Sequence, residues 1–299
     1  MSIAESHELK PGIYRDMSFT DYLELPFVNN SSLSLIARSP RTYHRRPKIE
    51  ETPAMRLGTL THAGKLEPSA VFRRYVVMPD FTKDVKKKDG GECSNPRATK
   101  EYKAKVEQFR LDNWEKIIVT EDEFAALVEM VTQLDRHSKA REWFSDEGET
   151  ELTIVWDDPL TGLRCKGRID KLCRRLKIIA DLKTTADCRK FRNVIFDRGY
   201  HRQAAFYIDG WKALTGETFR FGIAAQENSE PYGTQAATLC ERSIELGREA
   251  YQRALIDLRN SQVTGLWADY ESPDEWTPPS WADVEEPVEL SFGGEVVRL

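Results

Sequence analysis

The chain has 299 residues, of which 40% are hydrophobic and 31% are charged, a composition typical of soluble globular proteins. No apolar run approaches the roughly 20 residues that a membrane-spanning helix requires, and the N-terminal MSIAESHELKPG lacks the apolar region of a secretory signal. The net charge of −5 does not by itself exclude a phosphate-bearing partner, because the acidic residues are concentrated near the C-terminus.

The first clear element is a short helix within residues 31–46 (SSLSLIARSPRTYHRR), followed by a Pro-containing turn and a basic stretch. Serines at its start suit an N-cap, and Leu33, Leu35 and Ile36 form its apolar side. Several arginines follow this helix. Any one of them is most simply a solvent-exposed turn residue, but as a group they are candidate phosphate contacts. The candidate DNA-binding residues of this segment are Arg38, Arg41, Arg45 and Arg46, with Ser32 and Ser34 as hydroxyl donors to a DNA end.

A second helix is predicted over residues 54–67, where apolar residues recur at helical spacing and His62 lies among them. A lone histidine in a helix is more often structural than a ligand. The polar residues 82–98, with Lys86-Lys87-Lys88 and Gly90-Gly91, indicate a mobile loop. Helices are expected next at 99–115 and 120–144, the latter beginning with the capping pattern TEDEF.

Three strands are predicted after these helices, at residues 151–156, 163–172 and 176–184, and DDPLTG between the first two indicates a hairpin turn. A helix at 199–214, a strand at 219–226 and a long helix at 241–260 complete the pattern. Strands enclosed by helices predict one α/β or α+β domain through residue 268.

The strongest chemical signal lies on the second and third of these strands. Gly167-Arg168-Ile169-Asp170 is followed by Ile179-Ala180-Asp181-Leu182-Lys183. Alternation along a strand puts Asp181 and Lys183 on one face and Leu182 on the other, and a hairpin brings Asp170 beside Asp181.

Two neighbouring carboxylates repel each other and are costly to bury unless a cation joins them. Mg²⁺ suits carboxylate oxygens and keeps waters for a phosphate substrate, and Lys183 is placed to orient the attacking water and offset phosphate charge. From the spacing alone, a surface Asp–Lys pair explains the pattern about equally well, because the motif is short. Gln203 and Tyr207 share one helix face, where a tyrosine is more often part of the core.

Six ordered blocks together carry a family resemblance. They are GIYRDMSFTDY, NNSSLSLIARSPRTY, LGTLTHAGKLEP, WDDPLTGLRCKGRID, DLKTT and QAAFY, between about Gly12 and Leu214. The chain resembles the RecB-like nucleases of the PD-(D/E)xK superfamily, most closely the RecE-type exodeoxyribonuclease VIII group of phages and prophages. The resemblance implies a restriction-endonuclease-like core, in which a mixed central sheet is flanked by helices.

The resemblance also implies a role for each matching residue. Asp170 and Asp181 match the metal-binding acids, and Lys183 matches the catalytic lysine. His62 matches a helical histidine that ligates a metal, and the Leu182 carbonyl is a further candidate ligand. Gln203 and Tyr207 match the Q-x-x-x-Y motif. Asp181 stands where many superfamily members have Glu, but RecE-type members commonly have Asp.

The implied activity is Mg²⁺-dependent hydrolysis of duplex DNA from its ends, 5′ to 3′, with Mn²⁺ as a substitute. The implied setting is phage or prophage recombination in a bacterial cytoplasm, with a single-strand annealing protein as partner and a ring-shaped homo-oligomer, such as a tetramer, around the DNA. Two alternatives are a RecB-like nuclease of other polarity and a catalytically silent DNA-binding accessory protein.

The number and spacing of the cysteines indicate which metal cofactors the chain could bind and whether its thiols are reduced. The five cysteines are widely spaced and form no Cys-x-x-Cys pair, which disfavours a disulfide framework or structural zinc and suits reduced cytoplasmic thiols. Some relatives hold an iron–sulfur cluster on four cysteines, three of them near the C-terminus. Only Cys240 lies beyond residue 200 here, so we expect no such cluster.

Residues 269–299 form an acidic tail with nine acidic residues and one basic residue, Arg298. The rest of the chain then has 43 basic and 40 acidic residues, so its body is mildly basic. We expect the tail to be flexible. It is a solvated end, a docking peptide anchored by Trp276 and Trp281, or a competitor for the DNA groove.

Overall fold

The computed structural model describes residues 9–46, 52–86, 91, 93–270, 272–278, 289–292 and 295–298, the last two segments by backbone only. Contacts divide the chain into two units, residues 1–268 and 269–299. Part of the predicted mobile loop (residues 87–90 and 92), together with Pro279 and Trp281 of the tail, lies outside the described residues. Within the described residues, no helix has the length and apolar character needed to cross a membrane.

The first unit is built on a mixed six-stranded sheet. Its strands are β1 (Gly12–Tyr14), β4 (Thr150–Asp157), β5 (Arg164–Cys173), β6 (Ile178–Thr185), β7 (Arg220–Glu227) and β8 (Thr234–Thr238), in the order β1-β4-β5-β6-β7-β8. All neighbouring pairs are antiparallel except β6 and β7, which are parallel. A separate parallel pair joins β2 (Tyr75–Val77) to β3 (Ile117–Val119).

Eleven α-helices of the described residues accompany these strands. They are α1 (Phe19–Glu24), α2 (Asn30–Ile36), α3 (Pro40–Arg45), α4 (Pro53–Leu66), α5 (Pro68–Arg74), α6 (Lys100–Asp112), α7 (Glu121–Arg136), α8 (Ser138–Ser145), α9 (Phe191–Asp197), α10 (Tyr200–Thr215) and α11 (Glu241–Thr264). Short 3₁₀ turns occur at Phe81–Asp84, Pro96–Ala98 and Cys188–Lys190.

Apolar side chains bury both faces of the sheet against helices. The largest cluster joins Ile179 and Phe221 of the sheet to Phe206 and Trp211 of α10 and to residues of α2 and α11. The opposite face carries Leu182, which packs with residues of α7 and α8. The predicted fold class, a mixed central sheet flanked by helices, is therefore confirmed.

Several predicted elements differ from the observed ones for local reasons. The basic stretch after the first helix is itself helical, because Ser39 caps α3 and Pro40 occupies its first turn. The helix predicted over 120–144 is two helices, since His137 ends α7 and its ring accepts a hydrogen bond from the Ala140 amide to begin α8. The helix predicted over 241–260 continues to Thr264.

The second unit contains an element that the sequence did not predict. Strands β9 (Glu289–Phe292) and β10 (Glu295–Arg298) form an antiparallel two-stranded ladder. The tail expected to be flexible therefore includes regular backbone pairing. Trp276, one of the two proposed anchors, is 92% exposed.

Candidate active site

Three acidic residues occupy one row across three neighbouring strands. Thr150 pairs with Lys171, and Leu152 pairs with Ile169, so Glu151 lies opposite Asp170 between them. Lys171 also pairs with Ala180, so the next position of that antiparallel register puts Asp170 opposite Asp181. The row therefore runs from Glu151 on β4 through Asp170 on β5 to Asp181 on β6.

The backbone departs from regular sheet geometry at this row. Glu151 has a φ of 53°, in the left-handed region that a non-glycine residue seldom adopts. On the other side of the row, the Leu182 amide donates to Asp170 Oδ2 at 2.8 Å, so a side chain serves as the acceptor of a β6 backbone amide. A strained backbone conformation of this kind persists only where the surrounding structure holds it in place, and it occurs often at functional sites.

Helix α4 brings His62 to the row. At Gly58 the helix lies so close to β6 that a Cβ there would stand 3.0 Å from Thr184 Oγ1. His62 follows one turn later on the same face, and its Nδ1 is 3.4 Å from Asp170 Oδ2. Ligand atoms of His62, Glu151 and Asp170 all lie within 4.8 Å of one another.

Asp181 connects the row to the lysine and to α10. It is 2% exposed, with Lys183 Nζ 2.6 Å from Oδ2 and Gln203 Nε2 donating to Oδ1 at 2.8 Å. Asp181 Oδ2 receives no hydrogen bond of normal geometry from the described residues. The alternation predicted from the sequence is found, because Leu182 packs on the opposite face of the sheet.

The electrostatics of the cluster follow from burial and from its own charges. Burial, followed by the charge of Asp181, raises the pKa of Asp170 well above its ordinary value. Burial and the nearby Lys183 ammonium lower the pKa of His62 to about 4, so His62 is neutral at neutral pH. Burial opposes the charged form of Lys183, but Asp181 and Asp170 outweigh it and the pKa of Lys183 is raised.

Tyr207 packs against β5, the strand that carries Asp170. It is buried, and its hydroxyl accepts a hydrogen bond from the Arg168 amide at 3.3 Å. Its ring lies against Gly167, where a Cβ would stand 2.9 Å from the ring edge. Gln203 and Tyr207 thus share one face of α10, but Gln203 contacts an acid of the row, whereas Tyr207 holds the backbone of β5.

The residues proposed to contact DNA lie on α2 and α3 and in the turn after each. The Ser32 hydroxyl donates to Asn29 Oδ1 and the Ser34 hydroxyl donates to the Asn30 carbonyl, so both donors are engaged within the chain. Arg46 lies over the Tyr43 ring at 4.2 Å. The arginines of this segment are exposed: Arg38, Arg41, Arg45 and Arg46. No described contact links them to the acidic row.

Glu151 is the site residue that reasoning from the sequence missed. A signal was present in the predicted hairpin, because Asp157 pairs with Arg164 across the turn. Counting back six residues on β4 and forward six on β5 sets Glu151 opposite Asp170. Its partner Arg168, whose Nε lies 2.5 Å from Glu151 Oε2, was noted only as part of a motif.

Comparison with known families gives an independent result. A family model described as a PDDEXK-like domain of unknown function (DUF3799) matches residues 31–273, a range that contains His62, Glu151, Asp170, Asp181 and Lys183. No curated protein matches the chain.

Two solved structures are similar to this fold. A putative exonuclease from Eubacterium rectale is 14% identical, with a TM-score of 0.57, and the match covers 92% of this chain and 100% of that chain. At that identity the similarity establishes the fold alone. SSO0001 is 13% identical over 66% of this chain and 85% of that chain, with a TM-score of 0.28.

Proposed function

The chain belongs to the family of PDDEXK-like domains, and from that premise we propose that it is a metal-dependent nuclease that hydrolyses phosphodiester bonds of DNA. The observation that carries the proposal is the row of Glu151, Asp170 and Asp181, with His62 beside Glu151 and Asp170 and with Lys183 beside Asp181. Arg168 pairs with Glu151 and Lys183 pairs with Asp181, so the carboxylate of Asp170 between them has no cationic partner of its own among the described residues and is costly to ionise unless a cation binds.

The side chains fit a divalent metal ion. One imidazole nitrogen and two carboxylate oxygens lie within 4.8 Å of one another. Carboxylate oxygens are ordinary ligands of Mg²⁺ and Mn²⁺, and neutral imidazole is a ligand that transition-metal ions favour. Asp181 Oδ2 is buried, and the Lys183 ammonium 2.6 Å away compensates its charge. His62, Glu151, Asp170 and Asp181 would hold the ion, and the Leu182 carbonyl is a further candidate. A bound ion would supply a polarised phosphate and an acidified water.

The remaining residues supply positive charge to the site or hold its acidic residues in position. Lys183 stays protonated beside Asp181, so its ammonium is available to stabilise negative charge that develops on the phosphate. Gln203 fixes the orientation of Asp181, and Tyr207 fixes the β5 backbone at Arg168, two residues before Asp170. These two act by positioning.

We extend the proposal to a RecE-type exonuclease that uses Mg²⁺, works from duplex ends in the 5′-to-3′ direction and serves phage or prophage recombination. The six ordered sequence blocks support this, and the protein from Eubacterium rectale is itself described as a putative exonuclease. A cytoplasmic location, an annealing protein as partner and a ring-shaped homo-oligomer belong to the same proposal.

The test uses linear duplexes labelled at either end and a closed circular duplex of the same sequence. With Mg²⁺, we expect degradation of the linear substrates, release of the 5′ label before the 3′ label, and survival of the circle. EDTA should stop the reaction. Rapid cutting of circles would assign the chain to the endonucleases, and binding without cleavage in Mg²⁺ or Mn²⁺ would leave a DNA-binding accessory protein.

A further inference from the structure

Arg202 is a buried guanidinium with no acidic partner among the described residues. It is 7% exposed, and its Nε has no hydrogen-bond partner in that part of the chain. Its described side-chain hydrogen bond runs from Nη2 to the hydroxyl oxygen of Ser34 on α2. In contrast, Arg168 is paired with Glu151, and Arg248 is paired with Asp209. Burial lowers the pKa of Arg202, and no carboxylate opposes that effect.

The surroundings of this guanidinium are themselves electropositive. Helix α10 begins at Tyr200 and has no side-chain cap, so the positive end of its dipole lies at this point. Gly247 of α11 packs against the Arg202 amide, which leaves the guanidinium as the donor group of this residue. The guanidinium folds back over Gly199, where a Cβ would stand 2.7 Å from Nη2. A cation at the N-terminus of a helix opposes the dipole, whereas an anion there would satisfy both.

The same turn of α10 adjoins the candidate active site. Gln203, the next residue, donates to Asp181, and the Tyr200 ring lies 5.0 Å from Lys183 Nζ. Arg202 therefore lies on the first turn of the helix that contacts two members of the site. An anion held at this turn would be close to the bond that is cut.

We propose that Arg202, at the N-terminus of α10, binds a phosphate group of the DNA strand. The proposal rests on the proposed function for the identity of the anion, because a nuclease brings phosphates to this position. Guanidinium is well matched to phosphate, which accepts two parallel N–H bonds from it. The phosphate is either the terminal group of a DNA end or a diester within the strand.

A purely structural role would make Arg202 a link between α10 and α2. One neutral hydroxyl is poor compensation for burying a full charge, since buried charges are normally paired with opposite charges. The two roles predict opposite effects on stability. If the guanidinium awaits an anion, its removal relieves an unpaired charge; if it is a structural link, its removal weakens the fold.

The experiment measures DNA affinity and thermal stability of Arg202→Met, with EDTA present so that no cleavage occurs. We expect affinity to fall about 10- to 100-fold at low salt, the loss expected for one charge-assisted contact. The slope of log affinity against log salt should fall by about one. The melting temperature should stay unchanged or rise. Arg248→Met is the matched control and should lose stability, because Asp209 loses its ion-pair partner and is left with the Tyr251 hydroxyl as donor, while its DNA affinity is kept.

Duplexes with a 5′-phosphate, a 3′-phosphate or hydroxyl ends distinguish the two sources of phosphate. A loss confined to one phosphorylated end identifies a terminal phosphate, and an equal loss on all duplexes identifies an internal diester. Unchanged affinity, or a lower melting temperature with normal affinity of the folded fraction, overturns the proposal.

Arg202→Lys decides the matter if the methionine variant does not fold. Lysine keeps the charge but not the planar pair of donors, so an affinity lower than wild type supports the proposal and wild-type affinity overturns it. Cleavage by the wild type in Mg²⁺ is measured separately. A chain that binds DNA through Arg202 without cutting it contradicts the proposed function alone, and a chain that cuts but is indifferent to Arg202 contradicts this inference alone.

Discussion

Glu151 Oε2 lies 2.5 Å from Arg168 Nε, so the carboxylate at one end of the acidic row is held by an arginine of the neighbouring strand. Arg168 in turn donates to the Met17 carbonyl at 2.9 Å, which ties this carboxylate to the segment before α1. Burial raises the pKa of Glu151 although the arginine opposes that effect. The carboxylate is thus pre-positioned beside His62 and Asp170 by a contact outside the cluster.

The first prediction concerns this carboxylate. Glu151→Gln should weaken Mn²⁺ binding about tenfold or more, because it removes a charged oxygen from the cluster while keeping the side-chain shape. Calorimetric titration of the protein without DNA measures the affinity. Glu149→Gln is the control, since Glu149 pairs with Arg15 and Arg174 outside the cluster. Equal Mn²⁺ affinities of wild type and Glu151→Gln would remove Glu151 from the metal site.

The second prediction concerns the pH dependence of stability without metal. Because the pKa of Asp170 is raised by folding, the folded protein holds a proton that the unfolded chain releases. Stability should therefore fall as the pH rises above the ordinary range of Asp, by up to about 1.4 kcal/mol for each pH unit in that window. Asp170→Asn cannot ionise and should melt at a higher temperature than wild type at pH 7.5 in EDTA, with the difference shrinking toward pH 4.

Mg²⁺ should reverse the sign of the difference in melting temperature between Asp170→Asn and wild type. Mg²⁺ should raise the melting temperature of wild type at pH 7.5 and should have little effect on Asp170→Asn, which lacks the charge. A variant that melts below wild type in EDTA at pH 7.5 would show that Asp170 is ionised and well compensated in the metal-free protein.

The third prediction concerns Lys183. Lys183→Ala should lose roughly 100- to 1,000-fold in turnover, the usual effect of removing one electrostatic contact to a transition state. Mn²⁺ and DNA affinity should change little, because the ammonium is proposed to act on developing charge. Single-turnover rates with enzyme in saturating excess over DNA separate the two effects. Normal single-turnover rates with weak DNA binding would make Lys183 a phosphate contact only.

The fourth prediction concerns Lys166, a buried lysine of β5 that lies outside the site. Its ammonium donates to the carbonyl oxygens of Tyr22 and Leu25 at 2.6 and 2.7 Å, which fastens α1 to the sheet. Lys166→Met should lower the free energy of unfolding by about 3 kcal/mol, because buried acceptors lose their donor.

Urea unfolding measures this change, with the exposed Lys212→Met as control. A loss no larger than that of the control would mean that the burial of the charge, which lowers the pKa of Lys166 to about 8, cancels the benefit of its hydrogen bonds.

The sequence predicted those parts of the site that depend on local periodicity. A period of two placed Asp181 and Lys183 on one face and Leu182 on the other, and the structure has this arrangement. The fold class followed from strands enclosed by helices. The roles of these residues in metal binding and catalysis stay predictions.

The parts that were missed depend on contacts between distant segments. Glu151 reaches the row only through the β4–β5 register, and the φ of Glu151 has no sequence signal. The burial of Arg202 depends on how α2 and α10 approach each other. Ser39 and Pro40 suggested a turn, yet the same pair is a good helix start, and only packing decides between them.

The central claim is that the acidic row with Lys183 forms a nuclease active site. Its most direct test is the Mg²⁺-dependent degradation of linear duplex DNA by wild type, Asp181→Asn and Asp187→Asn at equal concentration. Asp187 is the matched control, because it lies six residues along the chain and pairs with the exposed Arg189. The account predicts rapid degradation by wild type and Asp187→Asn and none by a folded Asp181→Asn. Wild-type rates in folded Asp181→Asn would contradict it.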